Sequence, residues 1–396
     1  MKETKFKDTE IGRIPEEWEE FPLSSLVTDI ADGPFGSNLK TEHYISKKQV
    51  RVVQLSNIGD DGWHDANTKY TSFAHASTLS RCIIPTGSVL IAKMMPAGRA
   101  IICPNIDNSY ILGSDVVRIT CNTKLEPKYF VYSTKSKLYL EQISECTQGS
   151  TRQRTSISKL KNIQIVVPPF QEQCRIASAL TSIDNLISSL GKLIEKKKNI
   201  KQGAMQQLLT GKTRLKGFTE PWREKKLGEV CSVKKGVRVV KRNLTTNGLY
   251  PVYQNTNFPL GYSNHYNVEA NTPFVIIGGS AGQIGICREK YWAADDCAFF
   301  ACHDINKEYL YYVLLLNQSN ILHNVRTGTI PRLDRTFLSG MLVYISSNIA
   351  EQQAIATILT KMDDEITALE AKKAKYEAIK QGMMQQLLTG KIRLIS

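Results

Sequence analysis

Residues 201–215 read KQGAMQQLLTGKTRL, and residues 380–394 read KQGMMQQLLTGKIRL. Only Ala204/Met383 and Thr213/Ile392 differ. A constant offset of 179 residues carries the match backwards without a gap. It sets Glu172-Gln173 on Glu351-Gln352, Ile176-Ala177 on Ile355-Ala356, Leu180-Thr181 on Leu359-Thr360, Asp184 on Asp363, Ile187 on Ile366 and Leu190 on Leu369. Self-similarity of this kind marks an internal duplication. The same offset sets Gly149 on Gly328, in the stretches Thr147–Arg152 and Arg326–Arg332. Each half also opens alike: Pro15 and Trp18 precede Leu23 and Val27, and Pro221-Trp222 precede Leu227 and Val230. The chain is a globular unit followed by a helix, written twice. The expected segments are 1–168, 169–215, 216–346 and 347–396.

The repeated part reads as two long helices. Ile176, Leu180, Ile183, Ile187, Leu190 and Ile194 recur at steps of 4 and 3, as do Ile355, Leu359, Met362, Ile366 and Leu369. That 3.5-residue period is the seam of a coiled coil. Pro168-Pro169 and Ser346-Ser347-Asn348 mark the starts. Gly211 and Gly390, each followed by Lys and a later Arg, mark the stops, with cations matched to the helix dipole. Each helix would run about 40 residues, on the order of 60 Å. The two are expected to pair antiparallel, and to part or meet another partner near the glycines; Lys197 and Lys201 at seam positions weaken the seam in its second half. Gly203 and Gly382 cost about 1 kcal/mol each relative to Ala, which suggests close helix approach or a kink. Two ends kept this alike suit docking of two copies of one partner, through Met205, Gln206, Leu208, Leu209 and Met384, Gln385, Leu387, Leu388.

The globular units lack long helical periodicity. Short apolar runs such as Val50–Leu55, Gly87–Ala92, Ile163–Val167, Phe274–Ile277 and Met341–Ile345 read as strands. Tyr129–Tyr132 and Tyr309–Leu315 read as one helix per unit. The fold class is α+β: two globular domains separated by two long coiled-coil helices, with a pseudo-twofold internal repeat. The unit sequences diverge while the helices do not, which suits two different ligands of one chemical class.

The net charge is +14, an excess that favours a polyanion partner. Nine scattered cysteines without a C-x-x-C pair read as reduced thiols in the cytoplasm. Cys297, Cys302 and His303 lack a second ligand pair, so they read as core packing rather than zinc. No apolar run approaches the roughly 20 residues of a membrane span. The start Met1-Lys2-Glu3-Thr4-Lys5 leads into charged residues rather than an apolar signal core, so secretion is not expected.

Residues 223–242 hold eight Lys/Arg against two Glu. Arg152 and Arg154 flank the Gly149 loop, and Arg326, Arg332 and Arg335 flank the Gly328 loop. Such cations neutralise phosphates, and Arg also pairs with guanine; Asn255, Asn257 and Asn264 are of the type that suits adenine. Catalytic motifs fail in detail. Val167-Pro168-Pro169-Phe170 lacks the Asp or Asn that an N6-adenine methyltransferase needs first. Gly211-Lys212-Thr213 has Gln206 where a phosphate loop needs glycine. Gly278-Gly279-x-x-Gly282 does not fit a dinucleotide fingerprint.

The pattern resembles the specificity subunit of type I restriction–modification enzymes over nearly the whole chain. The resemblance rests on Val167–Gln173 with Ile176-Ala177, Leu180 and Asp184, and on the helix endings Gln206–Lys212 and Gln385–Lys391. Ile14-Pro15 with Trp18, Asp32–Ser37 and Gly278–Gly282 also look like that family; Ile349–Gln353 lacks its Pro-Pro. The resemblance implies a non-catalytic subunit with two target-recognition domains. Each reads half of a bipartite double-stranded DNA site, and the helices act as ruler and as dock for two modification subunits, which restriction subunits then join. S-adenosylmethionine, ATP and Mg are expected on those partners and none in this chain. Candidate DNA contacts are Arg99, Arg152, Arg154, Lys234, Lys235, Arg238, Lys241, Arg242, Arg326, Arg332 and Arg335. The competing expectations are a fused DNA methyltransferase or nuclease with an unread active site, and a coiled-coil nucleic-acid adaptor.

Overall fold

The structure is a computed structural model of the 396-residue chain; it describes residues 4–36, 38–94, 96–147, 154–240, 242 and 244–395. Two compact units emerge. Unit 1 takes Met1–Ser189 together with Lys373–Ser396, and unit 2 takes Leu190–Lys372.

Both units follow one plan. In unit 1 a four-stranded antiparallel sheet runs in the order Val27–Asp32, Val116–Cys121, Val89–Ala92, Ala100–Ile102. In unit 2 the order is Cys231–Lys235, Cys297–Cys302, Pro273–Ile276, Ile284–Ile286. A second sheet in each holds one parallel pair: Val50–Val53 with Tyr110–Leu112, and Tyr250–Tyr253 with Trp292–Ala293. A two-stranded ribbon leads to each long helix: Glu19–Pro22 with Gln164–Val167, and Trp222–Lys226 with Leu342–Ser346. All five apolar runs expected as strands contain one. Val50–Val53, Val89–Ala92 and Pro273–Ile276 are buried on both faces, so they read as continuous apolar stretches, whereas Gln164–Val167 and Leu342–Ser346 alternate in burial.

Tyr129–Tyr132 lies in the helix Pro127–Ser133 and Tyr309–Leu315 in Lys307–Leu316, but one helix per unit is an undercount. Lys137–Cys146, Ile157–Asn162, Gln318–His323 and Arg335–Gly340 are also helical. Most are a turn or two long, too short for a periodic stripe to stand out.

The long helices span Phe170–Leu208 and Ile349–Leu387, and begin directly after the residues read as start signals. Within each unit the segments of the two helices run antiparallel. In unit 1 Glu172 meets Arg393 and Asp184 meets Lys380. In unit 2 Lys197 meets Glu365 and Lys201 meets Asp363. The seam lysines therefore find carboxylates. Gly211 and Gly390 end the helical stretches at φ of +68° and +67°, as a left-handed stop requires. Gly203 and Gly382 correct the expectation of close approach: a Cβ at either meets nothing within 4 Å, and the helix continues through both.

The docking expectation also needs correction. Leu208 and Leu209 lie in the unit 2 core with Trp222, Tyr309 and Leu359. Leu387 and Leu388 lie in the unit 1 core with Trp18, Tyr129 and Leu180. All four are under a tenth exposed, so they offer a partner little surface. Met205 and Met384 pack on the same cores, half-buried, and Gln206 and Gln385 are exposed.

The helix ends explain this burial. Glu172, 2% exposed, accepts from the Trp18 indole at 3.1 Å and from Arg393 Nε and Nη2 at 2.8 Å each. Glu351, fully buried, accepts from the Trp222 indole at 3.1 Å and from Arg214 Nε and Nη2 at 2.7 and 3.0 Å. Tyr132 donates to Asp184 and Tyr312 to Asp363, at 2.7 and 2.8 Å. Glu172, Asp184 and Arg214 fall by the 179-residue repeat on Glu351, Asp363 and Arg393, so each unit closes on one helix's start and the other helix's end by the same bonds. Conservation of the two endings within the chain thus has a packing cause.

Candidate nucleic-acid interface

One end of the four-stranded sheet gathers the polar loops in each unit, and strand register decides which. In unit 2 Ile276 pairs with Cys297, and Lys235 pairs with Ala298. The turn after Ile276, the residues before Cys297 and the chain leaving Lys235 therefore emerge together. Gly236 marks the crowding, since a Cβ there would lie 2.1 Å from the Ala294 carbonyl. The equivalent Gly33 in unit 1 would meet the Gly113 carbonyl, so both positions need glycine for a close backbone crossing.

An arm crosses the turn in both units. Met94 bridges Arg154, and Gly278 bridges Arg332. Thr155 N–H donates to the Lys93 carbonyl at 2.9 Å, and Leu333 N–H to the Ile277 carbonyl at 3.0 Å. A guanidinium then locks each arm: Arg154 to Asp115 at 2.6 Å, Arg332 to Asp296 at 2.9 Å. Gly98 and Gly282 turn the hairpins at φ of +84° and +87°. Arg99 ends the unit 1 hairpin, half-buried and 3.9 Å from Asp60.

The candidate contacts divide accordingly. Arg99 and Arg154 come together at the unit 1 sheet end, and Arg326 and Arg332 at that of unit 2. Arg335 follows on the helix Arg335–Gly340; the Asp334 carboxyl before it is held below the usual range by hydrogen bonds from Thr336, with Arg326 and Arg335 adding to the shift. Lys234, Lys235, Arg238 and Arg242 are exposed along the edge strand and the chain leaving it. Arg223, Lys225 and Lys226 belong to the separate ribbon Trp222–Lys226. Arg152, the Gly149 loop and Lys241 lie outside the described residues.

Some cations turn inward. Arg51, 1% exposed, binds Asp65 at 2.8 Å and lies over Trp63 and Tyr70. Arg118 binds Asp29 at 2.7 Å, and buried Lys93 pairs with Asp32. Their charges are already answered. Cys297 is fully buried in the sheet, and His303 is exposed with its ring 3.2 Å from the Glu229 carbonyl.

Sequence reading missed the locking aspartates Asp115 and Asp296. A signal existed: Ala97-Gly98 and Ala281-Gly282 both precede an apolar strand, and each aspartate directly precedes the next strand of its sheet. The match is too short to be distinguished without the fold. Beside the unit 2 arm lies an amide-rich loop. Asn255 carbonyl accepts from Ser280 N–H at 2.9 Å, and Asn257 N–H donates to Gln283 Oε1 at 3.2 Å. Exposed cations, amides and pinned loops at one sheet end can neutralise phosphates and present donors and acceptors to base edges.

Comparisons agree with this chemistry. Residues 15–202 and 219–381 each match the family described as type I restriction modification DNA specificity domain. The putative type I restriction enzyme MjaX specificity subunit of Methanocaldococcus jannaschii is 24% identical over 99% of this chain and 98% of its own length. The MjaVIII specificity subunit of the same organism is 25% identical over 99% and 97%. In fold, the chain is similar to the crystal structure of the type I restriction–modification S subunit from M. genitalium, with a TM-score of 0.70 at 18% identity, covering 93% of this chain and 96% of that one. With its sheet plan, its arms and its family domain all present in two copies, the chain belongs to the type I restriction modification DNA specificity family.

Proposed function

We propose that the chain, as the DNA-sequence-recognising specificity subunit of a type I restriction–modification system, reads a bipartite duplex site with one unit per half-site. The observation that carries this reading is the pair of sheet ends. They share one scaffold, down to the arm and its arginine–aspartate lock, yet differ in the side chains of their loops. Two dissimilar readers on one framework give two half-sites, and linking them raises affinity through effective concentration.

Catalysis is assigned to partners: adenine N6 methylation by two modification subunits, translocation and cleavage by restriction subunits, with S-adenosylmethionine, ATP and Mg bound there. For docking, a groove of about 680 Å³ in unit 1 supports the end of the second long helix as the place. It is lined by Leu140, Gln381, Met384, Gln385, Leu388 and Thr389. Leu140 is half exposed there, and Gln385 projects outward. The exposed glutamines of the repeated endings, rather than the buried leucines, are then the repeated docking groups. Such work belongs in the cytoplasm; among the described residues no helix is long and apolar enough to cross a membrane.

Exchange of residues 18–167 for the matching unit of a relative tests the reading. Methylome sequencing of cells carrying the chimaera with its partners should show one altered half-site. Alteration of both, or of neither, contradicts it. Insertion of four residues into Phe170–Leu208 should change the gap between half-sites or abolish assembly; an unchanged gap at full activity removes the ruler.

A further inference from the structure

The unit 2 sheet end is built around one glycine. Gly279 sits at a φ of +86°, and a Cβ there would lie 2.9 Å from Asn255 Cβ. Its N–H donates to the Pro331 carbonyl at 3.2 Å, and the next N–H, of Ser280, donates to the Asn255 carbonyl at 2.9 Å. Two further loops are thus attached to the turn through backbone groups, with the Gln283 side chain also accepting from Asn257 N–H. Their outward side chains are free to vary without loss of the scaffold.

One of these loops is a short ribbon. Arg326 N–H donates to the Arg332 carbonyl at 2.8 Å, and Arg332 N–H to the Arg326 carbonyl at 3.1 Å. The Arg332 lock to Asp296 and the Leu333–Ile277 bond hold its base. Its tip, Thr327–Ile330, is exposed throughout. Ile330 is 56% exposed, and Phe258, on the neighbouring Asn255 loop, 73%. The ribbon contains two arginines and no acid. Hydroxyl, guanidinium and apolar groups on a pinned tip match the mixture of acceptors, donors and thymine methyls along base edges.

We propose that the Arg326–Arg332 ribbon, flanked by Asn255 and Phe258, enters the major groove of duplex DNA and decides which bases unit 2 accepts. The inference rests on the DNA-reading role proposed above. A two-stranded ribbon fits a groove about 12 Å wide. The roles divide by geometry. Arg332, held by Asp296, is a positioning residue. Arg326, Thr327, Thr329 and Ile330 face outward and meet the bases, with Asn255 beside them.

The test uses the full chain in complex with its modification subunit. A triple variant, Thr327→Ser, Thr329→Ala and Ile330→Ala, is read by methylome sequencing and by methylation rates on matched and singly mismatched duplexes. The expected result is an unchanged first half-site and a second half-site relaxed at one or more positions, where discrimination falls about 5- to 150-fold. A second half-site read as before overturns the proposal. Should the triple variant lose methylation altogether, the single exchanges Ile330→Ala and Thr329→Ala decide in the same assay, and an intact second half-site in both overturns it. Exchange of residues 216–346 separates the two levels. If that swap leaves the second half-site unaltered, unit 2 is not its reader; if it alters the half-site while the tip variants do not, only the ribbon's role fails.

Discussion

Removing the guanidinium of Arg393 should destabilise unit 1 strongly. Arg393 is 9% exposed at its side chain, and Glu172 is 2% exposed. The carboxylate accepts four bonds: two from Arg393 at 2.8 Å, one from Trp18 and one from the Leu394 N–H, both at 3.1 Å. Arg393→Ala leaves a buried charge with two neutral donors. Breaking such a pair costs about 3–5 kcal/mol, and water entering the vacated space puts the value near about 3. Glu172→Ala costs less, about 2 kcal/mol, because Arg393 keeps Glu17 at 2.8 Å in a more open site. The double variant should cost about 3 kcal/mol rather than their sum, a coupling of about 2. Urea denaturation of the three variants measures this. With a slope of about 2 kcal/mol per molar, Arg393→Ala lowers the midpoint of the unit 1 transition by about 1.5 M. Additive single changes, or a midpoint within about 0.3 M of the parent, would refute the claim that the pair closes the unit. The matching Arg214→Ala in unit 2 should act in the same direction and more weakly, because Arg214 is 30% exposed.

Two further outcomes follow from the same geometry. Gly390→Ala and Gly211→Ala both force a side chain into a left-handed φ, at about 1 kcal/mol each, but a Cβ at 390 would lie 2.2 Å from Pro15 Cγ against 3.2 Å from Trp222 at 211. Gly390→Ala should therefore lower the denaturation midpoint further, and an equal or larger loss at Gly211 would contradict the packing. Burial pushes the thiols of Cys103, Cys121, Cys231 and Cys302 up to about 12. Because the thiolate is the reacting form, native alkylation at pH 8 should run about a thousandfold slower than for a free thiol, rising tenfold per pH unit and jumping on unfolding. Rapid native labelling of Cys231, read by mass spectrometry, would contradict that burial.

Much of the architecture was legible in the residues. The duplication, both helix starts, the glycine stops and all five strand runs are local signals, carried by periodicity and by backbone demands that a few neighbouring residues state completely. The gathering of Arg326 and Arg332 into one ribbon was half legible, since both flank Gly328, but the lock to Asp296 was not. Nothing near Arg332 in the chain points 36 residues back to that carboxylate.

What the sequence by itself determined is that two like units and two like helices exist and that the chain is strongly basic. What only the tertiary structure decided is who faces whom. An apolar stripe looks the same whether it meets its own unit or a partner, so the sequence leaves Leu208, Leu209, Leu387 and Leu388 open to docking, and the fold places them in the cores. Glu172 and Arg393 lie 221 residues apart, and Arg332 and Arg326 differ only in what holds them. Burial and pairing are properties of three-dimensional neighbourhoods: strand register brings Arg332 to Asp296, and antiparallel pairing of the helix segments within unit 1 brings Arg393 to Glu172, and no short window of residues states either.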